Sequence, residues 1–434
     1  MRVCLAGALC PERLLRAAGR ERLPCALGMP DPEERPRQIF ACDPMRVVRG
    51  HSVEELAGAW DESRAAWGDV DRAGVPVGIG FLSYDLGRRF ERIRAAEMAP
   101  SPWPEVEFRF YDAVLVVERQ TGEGEIWSCD EKAAARLRGK IIEPAAGLDL
   151  EEPDPPPAPL AEMEPPDRHL AAVRRALEYI HAGDIYQVNL ARRLACVSAT
   201  RPGEAPGRSL FERLEATAPA PYAIWLADGE SGTALVGHSP ERFLRLGTDG
   251  QIETWPIKGT RPRGHGGAAD PNAEALLASA KDRSEHVMIV DLERNDLGRV
   301  CRTGSVRVEG LCRLLSLPTV HHMVTTVRGQ LRPEVGLPAL LRATFPGGSV
   351  TGAPKIRAME IIAELESARR GPYTGASGWL GAAGDLDLAV AIRTALIREG
   401  QLVLWVGGGI VADSDPEAEL AETWDKARAF SRVL

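Results

Sequence analysis

Trp255-Pro256-Ile257-Lys258-Gly259-Thr260-Arg261-Pro262-Arg263-Gly264 puts a lone lysine at the end of an apolar run and follows it with a rigid, basic, turn-forming segment. Upstream, Ser239-Pro240-Glu241-Arg242-Phe243-Leu244-Arg245-Leu246 alternates as a strand does. Gly247-Thr248-Asp249-Gly250 has turn chemistry, and Gln251 to Ile257 alternates again, so the stretch predicts a β-hairpin. A loop of those four residues pairs Leu246 with Gln251 and sets Glu241 opposite Pro256. Lys258 is then the diagonal neighbour of Glu241 on the same face. A carboxylate and an amine held together at one end of a sheet are an acid and a nucleophile. The competing interpretation is a surface ion pair, and a slip or bulge of one residue would separate the two.

Around this hairpin lies a chain of 434 residues, 44% apolar and 26% charged, the composition of a soluble globular protein with room for one large or two ordinary domains. Its formal net charge of −9 gives no reason to expect nucleic acid or an anionic membrane as partner. The start, Met1 to Gly7, has too short an apolar core for a signal peptide, and no stretch is long enough to span a bilayer. The eight cysteines are scattered without a C-x-x-C pair, which points to reduced thiols and a cytoplasmic location.

Residues 1–150 form an amino-terminal subdomain, with strands expected over Val77–Asp85 and Phe108–Val117. The proline-rich stretch within 151–166 is a solvated linker, and 167–434 is the catalytic domain. Asp167 caps a helix with Leu170, Val173, Leu177 and Ile180 on one side. Asp270-Pro271 opens a helix to about Val290, Pro354 opens one that stops near Gly371, and Asp415-Pro416 opens the last. Ala376–Leu380, Leu386–Ile397 and Leu402–Val406 read as a three-stranded meander. Strands joined by hairpins and separated by long helices make the fold class antiparallel α+β.

Two helices carry paired acids: Asp282 with Glu285, and Glu419 with Glu422, the latter followed by Lys426 one turn on. Brought together, such pairs would hold a hard divalent cation, Mg²⁺ typically taking one or two protein carboxylates plus water and substrate oxygens. Either pair alone is an ordinary solvated face. Gly407-Gly408-Gly409 after the strand Leu402–Val406 lets backbone amides point at a carboxylate, although a strand end also explains it. Phe345 to Lys355 is a Gly/Ser/Thr loop without the Gly-Lys-Ser/Thr of a nucleotide loop, so it is a seat for a hydroxyl or carboxylate at a helix start. Arg393 interrupts an aliphatic strand and is either an ion-pair partner or, as favoured here, a carboxylate clamp near the three glycines. His321-His322 precede an apolar run and are core histidines or contacts to a substrate hydroxyl.

Together these motifs resemble the chorismate-utilising enzymes over about Asp167 to Phe430. The motifs are Gly183 to Leu190, Ser239 to Phe243, Pro256 to Arg263, Asp291-Leu292-Glu293-Arg294-Asn295-Asp296, Phe345 to Lys355 and Gly407 to Ile410. The resemblance implies a two-sheet, roughly orthogonal antiparallel sandwich with outer helices and a cleft between the sheets. It implies Mg²⁺-dependent replacement of the C4 hydroxyl of chorismate by an amino group. Lys258 is similar to the lysine of the branch that aminates C4, whereas the anthranilate-forming branch, the alternative, usually carries alanine. By the same resemblance Lys258 is the covalent nucleophile and Glu241 the general acid/base. Glu285 and Glu422 are direct metal ligands, with Asp282 and Glu419 acting through water. Arg393, Tyr373 and the Gly407–Gly409 amides bind carboxylates, and His322, Ser349, Thr260, Lys426 and Gln187 complete the site. Gln187 stands where water-adding relatives place a lysine. No Gly-x-Cys-x-Gly-like nucleophile turn occurs, so a separate glutamine amidotransferase is the expected ammonia source, and a downstream lyase the expected consumer. Two other possibilities are a pyridoxal phosphate lysine and a non-catalytic Mg²⁺-dependent carboxylate-binding protein.

Overall fold

Strand Tyr222–Asp228 alternates its neighbours rather than its polarity. Ile224 and Leu226 enter one apolar core, while Ala223, Trp225 and Ala227 enter another. A strand with both faces covered reads as a continuous apolar run. A computed structural model of the chain describes residues 1–5, 7–29, 36–68, 73–94, 98–148, 158–198, 200, 203–264, 270–317 and 320–434. Among them, two antiparallel sheets carry the fold, one of twelve strands and one of ten. The core between the sheets takes Ile39, Ile224 and Leu235 from the larger and Ile79, Phe108 and Leu388 from the smaller. A second core seals the far face of the larger sheet under helices Pro11–Ala18, Arg208–Thr217 and Pro416–Ser431.

Both halves of the chain build both sheets. Cys25–Met29 pairs with Tyr222–Asp228 in the larger, and Pro76–Leu82 pairs with Ala376–Gly381 in the smaller. Residues 151–157 of the proline-rich linker lie outside the described residues. Beyond them Ala161–Glu162 pairs with Gln187–Val197 as a short strand.

The chain crosses between sheets at two corners where the sequence predicts uninterrupted strands. Phe108–Val117 is two strands, Val106–Phe110 in the smaller sheet and Ala113–Glu118 in the larger. Leu386–Ile397 likewise splits into Leu386–Val390 and Thr394–Arg398, so the expected meander is shared between the sheets. Arg393 makes this second corner, with φ +49° in the left-handed region.

The helices differ from expectation mainly at their ends. Pro166, not the residue after Asp167, opens helix Pro166–His181. The helix after Pro354 is Lys355–Leu365 and stops short of Gly371. The one expected from Pro271 to about Val290 is two, Pro271–Ala278 and Ala280–Gly298. Ser279 breaks it in extended conformation and caps the second helix by accepting from the Asp282 N–H at 3.2 Å.

Candidate active site

The hairpin's tip and its base disagree, and the base matters. Leu246 pairs with Ile252, one residue beyond the expected Gln251. A register shift between Arg242 and Arg245 then restores the pairing, and Arg242 faces Trp255. Continued one step past the two strands, that register sets Glu241 opposite Pro256. Pro256 has no N–H and ends the strand, so Lys258 belongs to a further strand, Ile257–Pro262, paired with Val320–Gln330. A bulge at Gly259, φ +68°, re-aims the chain there. An added Cβ at Gly259 would stand 2.5 Å from Leu276 and 3.2 Å from the Asp282 carboxylate, so glycine lets the acid-bearing helices close in.

Lys258 is enclosed by protein yet keeps some accessible surface, as at the floor of a cleft. Burial pulls its amine below the ordinary lysine value. Lys426 adds to the pull, while Glu285, Glu241 and Glu422 oppose it. No carboxylate oxygen lies within ion-pair distance of Lys258 among the described residues. Gly409 borders it: a Cβ there would sit 3.1 Å from Lys258 Nζ and 2.8 Å from Gln187 Nε2. The three glycines are the end of strand Gln401–Ile410, paired with Gln187–Val197 through Asn189–Gly409 and Ala191–Gly407. The pairing with Thr394–Arg398 on the other edge stops at Leu404, so that edge of Gly407–Gly409 has no strand beside it among the described residues.

Glu241 is 4% exposed, and burial pushes its carboxyl up to about 7. Ser349, Lys258, the Ile257 N–H and Arg393 oppose the rise, in that order. Ser349 is near enough to bias Glu241, yet its Oγ and Glu241 Oε1 complete no regular hydrogen bond. Arg393 makes no ion pair among the described residues, and burial lowers its pKa against the pull of Glu241.

The four acids approach from two helices. A Cβ at Gly408 would lie 3.1 Å from Glu419 Oε2, 3.3 Å from Lys426 Nζ and 3.8 Å from Glu422 Oε1. Lys426 bridges Glu422 at 2.7 Å and donates to Gly407 O at 2.6 Å, Ser414 donates to Glu419 at 2.6 Å, and Arg261 pairs with Asp282 at 2.8 Å. Glu285 accepts no hydrogen bond among the described residues, and burial raises its pKa against the pull of Lys258 and Lys281, with Asp282 and Glu419 adding to it. No three of these acids bring their oxygens within 4.8 Å of one another. That open, all-oxygen set fits a cation that fills its shell with water and substrate, as Mg²⁺ does, better than a closed structural site.

His322 and Thr260 meet through Nδ1 and Oγ1 at 3.0 Å. Burial holds His322 down to about 3, so its ring is neutral, and Nε2 has no hydrogen-bond partner. The Gln187 amide, wholly buried, has both polar atoms unpartnered. Tyr373 is set by packing, its ring stacked on Trp405 at 5.7 Å and 10°. Sequence inspection missed His286, which is buried, held down to about 4 by desolvation and by Lys258, and bonded through Nε2 to Thr325 at 2.6 Å. The helical spacing from Asp282 through Glu285 and His286 to Ile289 was the available signal.

A family model described as chorismate binding enzyme matches residues 30–432. Aminodeoxychorismate synthase component 1 of Klebsiella aerogenes is 43% identical over 363 residues, 82% of this chain and 76% of that protein. Anthranilate synthase component 1 of Streptomyces coelicolor is 40% identical over 372 residues, 81% of this chain and 71% of that one. The crystal structure of anthranilate synthase component I from Streptococcus pneumoniae superposes with a TM-score of 0.76 at 28% identity, covering 93% of each chain. With the match spanning nearly its whole length, the chain belongs to the chorismate-binding enzyme family.

Proposed function

We propose that this chain is component I of an aminodeoxychorismate synthase, replacing the C4 hydroxyl of chorismate with an amino group. The observation that carries this is Lys258: an amine without an ion pair, lowered in basicity by burial, in the same cleft as a carboxyl raised to about 7. Neutral Lys258 adds through Nζ at C2, the ring π electrons shift, and the C4–O bond breaks. Glu241 gives its proton to the departing oxygen, which leaves as water. Ammonia then adds at C4, the C2–N bond breaks, and Lys258 leaves as the free amine. The Glu241 carboxylate recovers a proton from the new C4 nitrogen. The sum is chorismate plus ammonia giving 4-amino-4-deoxychorismate plus water.

Glu285 and Glu422 would hold Mg²⁺ directly, with Asp282 and Glu419 reaching it through water. Mg²⁺ bound there would supply positive charge against a chorismate carboxylate and draw it between the two acidic helices. Arg393 and the open edge of Gly407–Gly409 take the other carboxylate, and His322 Nε2 meets a ring substituent. Buried apolar neighbours exclude water, and neutral Gln187 has no base with which to activate it, which disfavours water as the nucleophile. The ammonia would come from a separate glutamine amidotransferase, and a lyase would consume the product, placing the enzyme in 4-aminobenzoate and folate synthesis.

The similarity to anthranilate synthases favours a second reading, conversion of chorismate to anthranilate and pyruvate. Purified protein given chorismate, ammonium and Mg²⁺, with and without a 4-amino-4-deoxychorismate lyase, separates the two. 4-Aminobenzoate formed only when lyase is present supports the proposal. Fluorescent anthranilate formed without lyase overturns it in favour of the second reading.

A further inference from the structure

Strand Gln187–Val197 has the glycine strand along one edge, while its other edge is only partly covered. Gly352–Ala353 pairs there at Gln187 and Val188, and Ala161–Glu162 pairs at Leu194 and Ala195. Between these two pairings no strand lies beside it among the described residues. A buried ion pair fills the gap. Glu366, the residue after helix Lys355–Leu365, accepts from the Ala191 N–H at 2.9 Å, and Arg370 donates to Asn189 O at 2.8 Å. These are the acceptor and the donor that a neighbouring strand would offer. Glu366 and Arg370 meet at 2.6 Å, and Arg370 is 2% exposed.

The guanidinium also reaches away from the strand. Arg370 Nη1 donates to Val350 O and to Thr374 Oγ1, each at 3.0 Å. Thr374, at φ +58°, donates in turn to Tyr373 O at 2.6 Å, and its N–H bonds Ala391 O at 2.8 Å. Val390, the neighbour of Ala391, donates its N–H to Glu241 O at 3.0 Å. One guanidinium thus joins the backbones beside Ser349 and Tyr373 to the strand that carries Gln187.

Those three side chains depend on such a frame. The Gln187 amide and the Ser349 hydroxyl have no hydrogen-bond partner among the described residues, and Tyr373 is set by stacking on Trp405. Where each stands is therefore decided by its backbone. Gln187 is two residues from Asn189 and shares its face, the face on which Gly409 borders both Gln187 and Lys258.

We propose that Arg370, held by Glu366, is a positioning residue for the cleft: one buried guanidinium fixes Gln187, Ser349 and Tyr373 relative to Lys258. This inference rests on the role proposed for those residues in amination. A structural role alone would lower the melting temperature and leave kcat of the folded protein unchanged.

Arg370→Lys keeps a charge for Glu366 but replaces the planar fork with a point donor that cannot span Asn189 O, Val350 O and Thr374 Oγ1. With chorismate, ammonium and Mg²⁺ it should lower kcat about 10²-fold, the scale of a misplaced site group, and change KM for chorismate by about twofold at most. Hydrogen exchange of the whole protein without substrate, read by mass spectrometry, should show the Ala191 amide exchanging about tenfold faster in the variant. Unchanged kcat in folded Arg370→Lys, whatever its melting temperature, overturns the positioning role. Unchanged exchange at Ala191 overturns the tie to the strand. Absence of chorismate turnover by the wild type sinks the amination reading, while the exchange result still decides whether the ion pair holds the strand. Should Arg370→Lys not fold, Thr374→Val removes one acceptor of Arg370 and the bond to Tyr373 O at nearly constant shape. Its kcat should fall about tenfold, and an unchanged kcat overturns the proposal.

Discussion

The proposed amination uses Lys258 and Glu241 in opposite protonation states, and burial shifts each toward the one it needs. A neutral amine is favoured because desolvation penalises its charged form, and a neutral carboxyl for the same reason. Activity should therefore rise as pH passes the lowered lysine value and fall as it passes about 7, the carboxyl's value. A pH profile of kcat/KM checks this, and Lys258→Ala should lose amination by roughly 10²-fold or more. The same carboxyl makes a stability prediction of definite sign. Raised from 4.5 to about 7, Glu241 contributes stability fully present below about 4.5 and lost as pH rises through about 7. Glu241→Gln, which cannot ionise, should be more stable than wild type at pH 8, by on the order of 3 kcal/mol from that shift, while its turnover falls. Thermal melts of both proteins across pH check the crossing. Gly409→Ala is the steric counterpart. Its Cβ would meet Gln187 Nε2 at 2.8 Å and Lys258 Nζ at 3.1 Å, so chorismate turnover should collapse while the fold survives, because both neighbours are ends of flexible side chains.

Single elements were legible where periodicity governed them and illegible where one residue's backbone did. The hairpin motif, both acidic helix faces and the glycine strand end followed from spacing, because burial of one face repeats every two or about every 3.6 residues. The corner at Arg393 did not, since a non-glycine residue in the left-handed region leaves no mark in the hydrophobic pattern. The break at Ser279 was hidden because Ala278, Ala280 and Lys281 are all good helix formers on either side of it. Two compensating irregularities, the longer hairpin loop and the bulge above Arg242, left the register at the base as predicted although the tip was displaced. Arg242 pins that bulge. It bonds Asp387 through Nε and Nη2 at 3.1 and 3.0 Å, reaches Glu253 at 2.8 Å, and lies 3.9 Å from the centre of the Trp255 ring. The Ser279 break predicts its own cost. Ser279→Ala should destabilise the protein by about 1 kcal/mol, the usual worth of a helix cap, read by denaturant melts.

At the scale of the molecule, the two sheets meet where Gly409 borders Lys258, and six of the eight thiols are poorly suited to releasing ammonia from glutamine. Glutamine hydrolysis of that kind needs a thiolate, and thiolates form where a thiol's pKa is depressed by a helix N-terminus or a nearby cation. No disulfide joins any of the eight cysteines among the described residues. Burial instead pushes Cys25 and Cys301 up to about 11, and raises Cys42 further still, with Asp43 and Glu21 adding to the rise. Cys10, Cys196 and Cys312 move in the same direction through burial. The protein alone should thus use ammonium as nitrogen donor, and more effectively at higher pH, where free ammonia is more abundant, until the loss of the Glu241 proton dominates. Glutamine should support no chorismate consumption until a separate glutaminase is added, and alkylating every accessible cysteine should leave the ammonium-dependent rate unchanged. A chorismate-consumption assay with each nitrogen donor, before and after alkylation, checks both. Glutamine-dependent turnover by this chain alone, abolished by alkylation, would place a nucleophilic thiol in the protein and undo the division of labour argued from the buried cysteines.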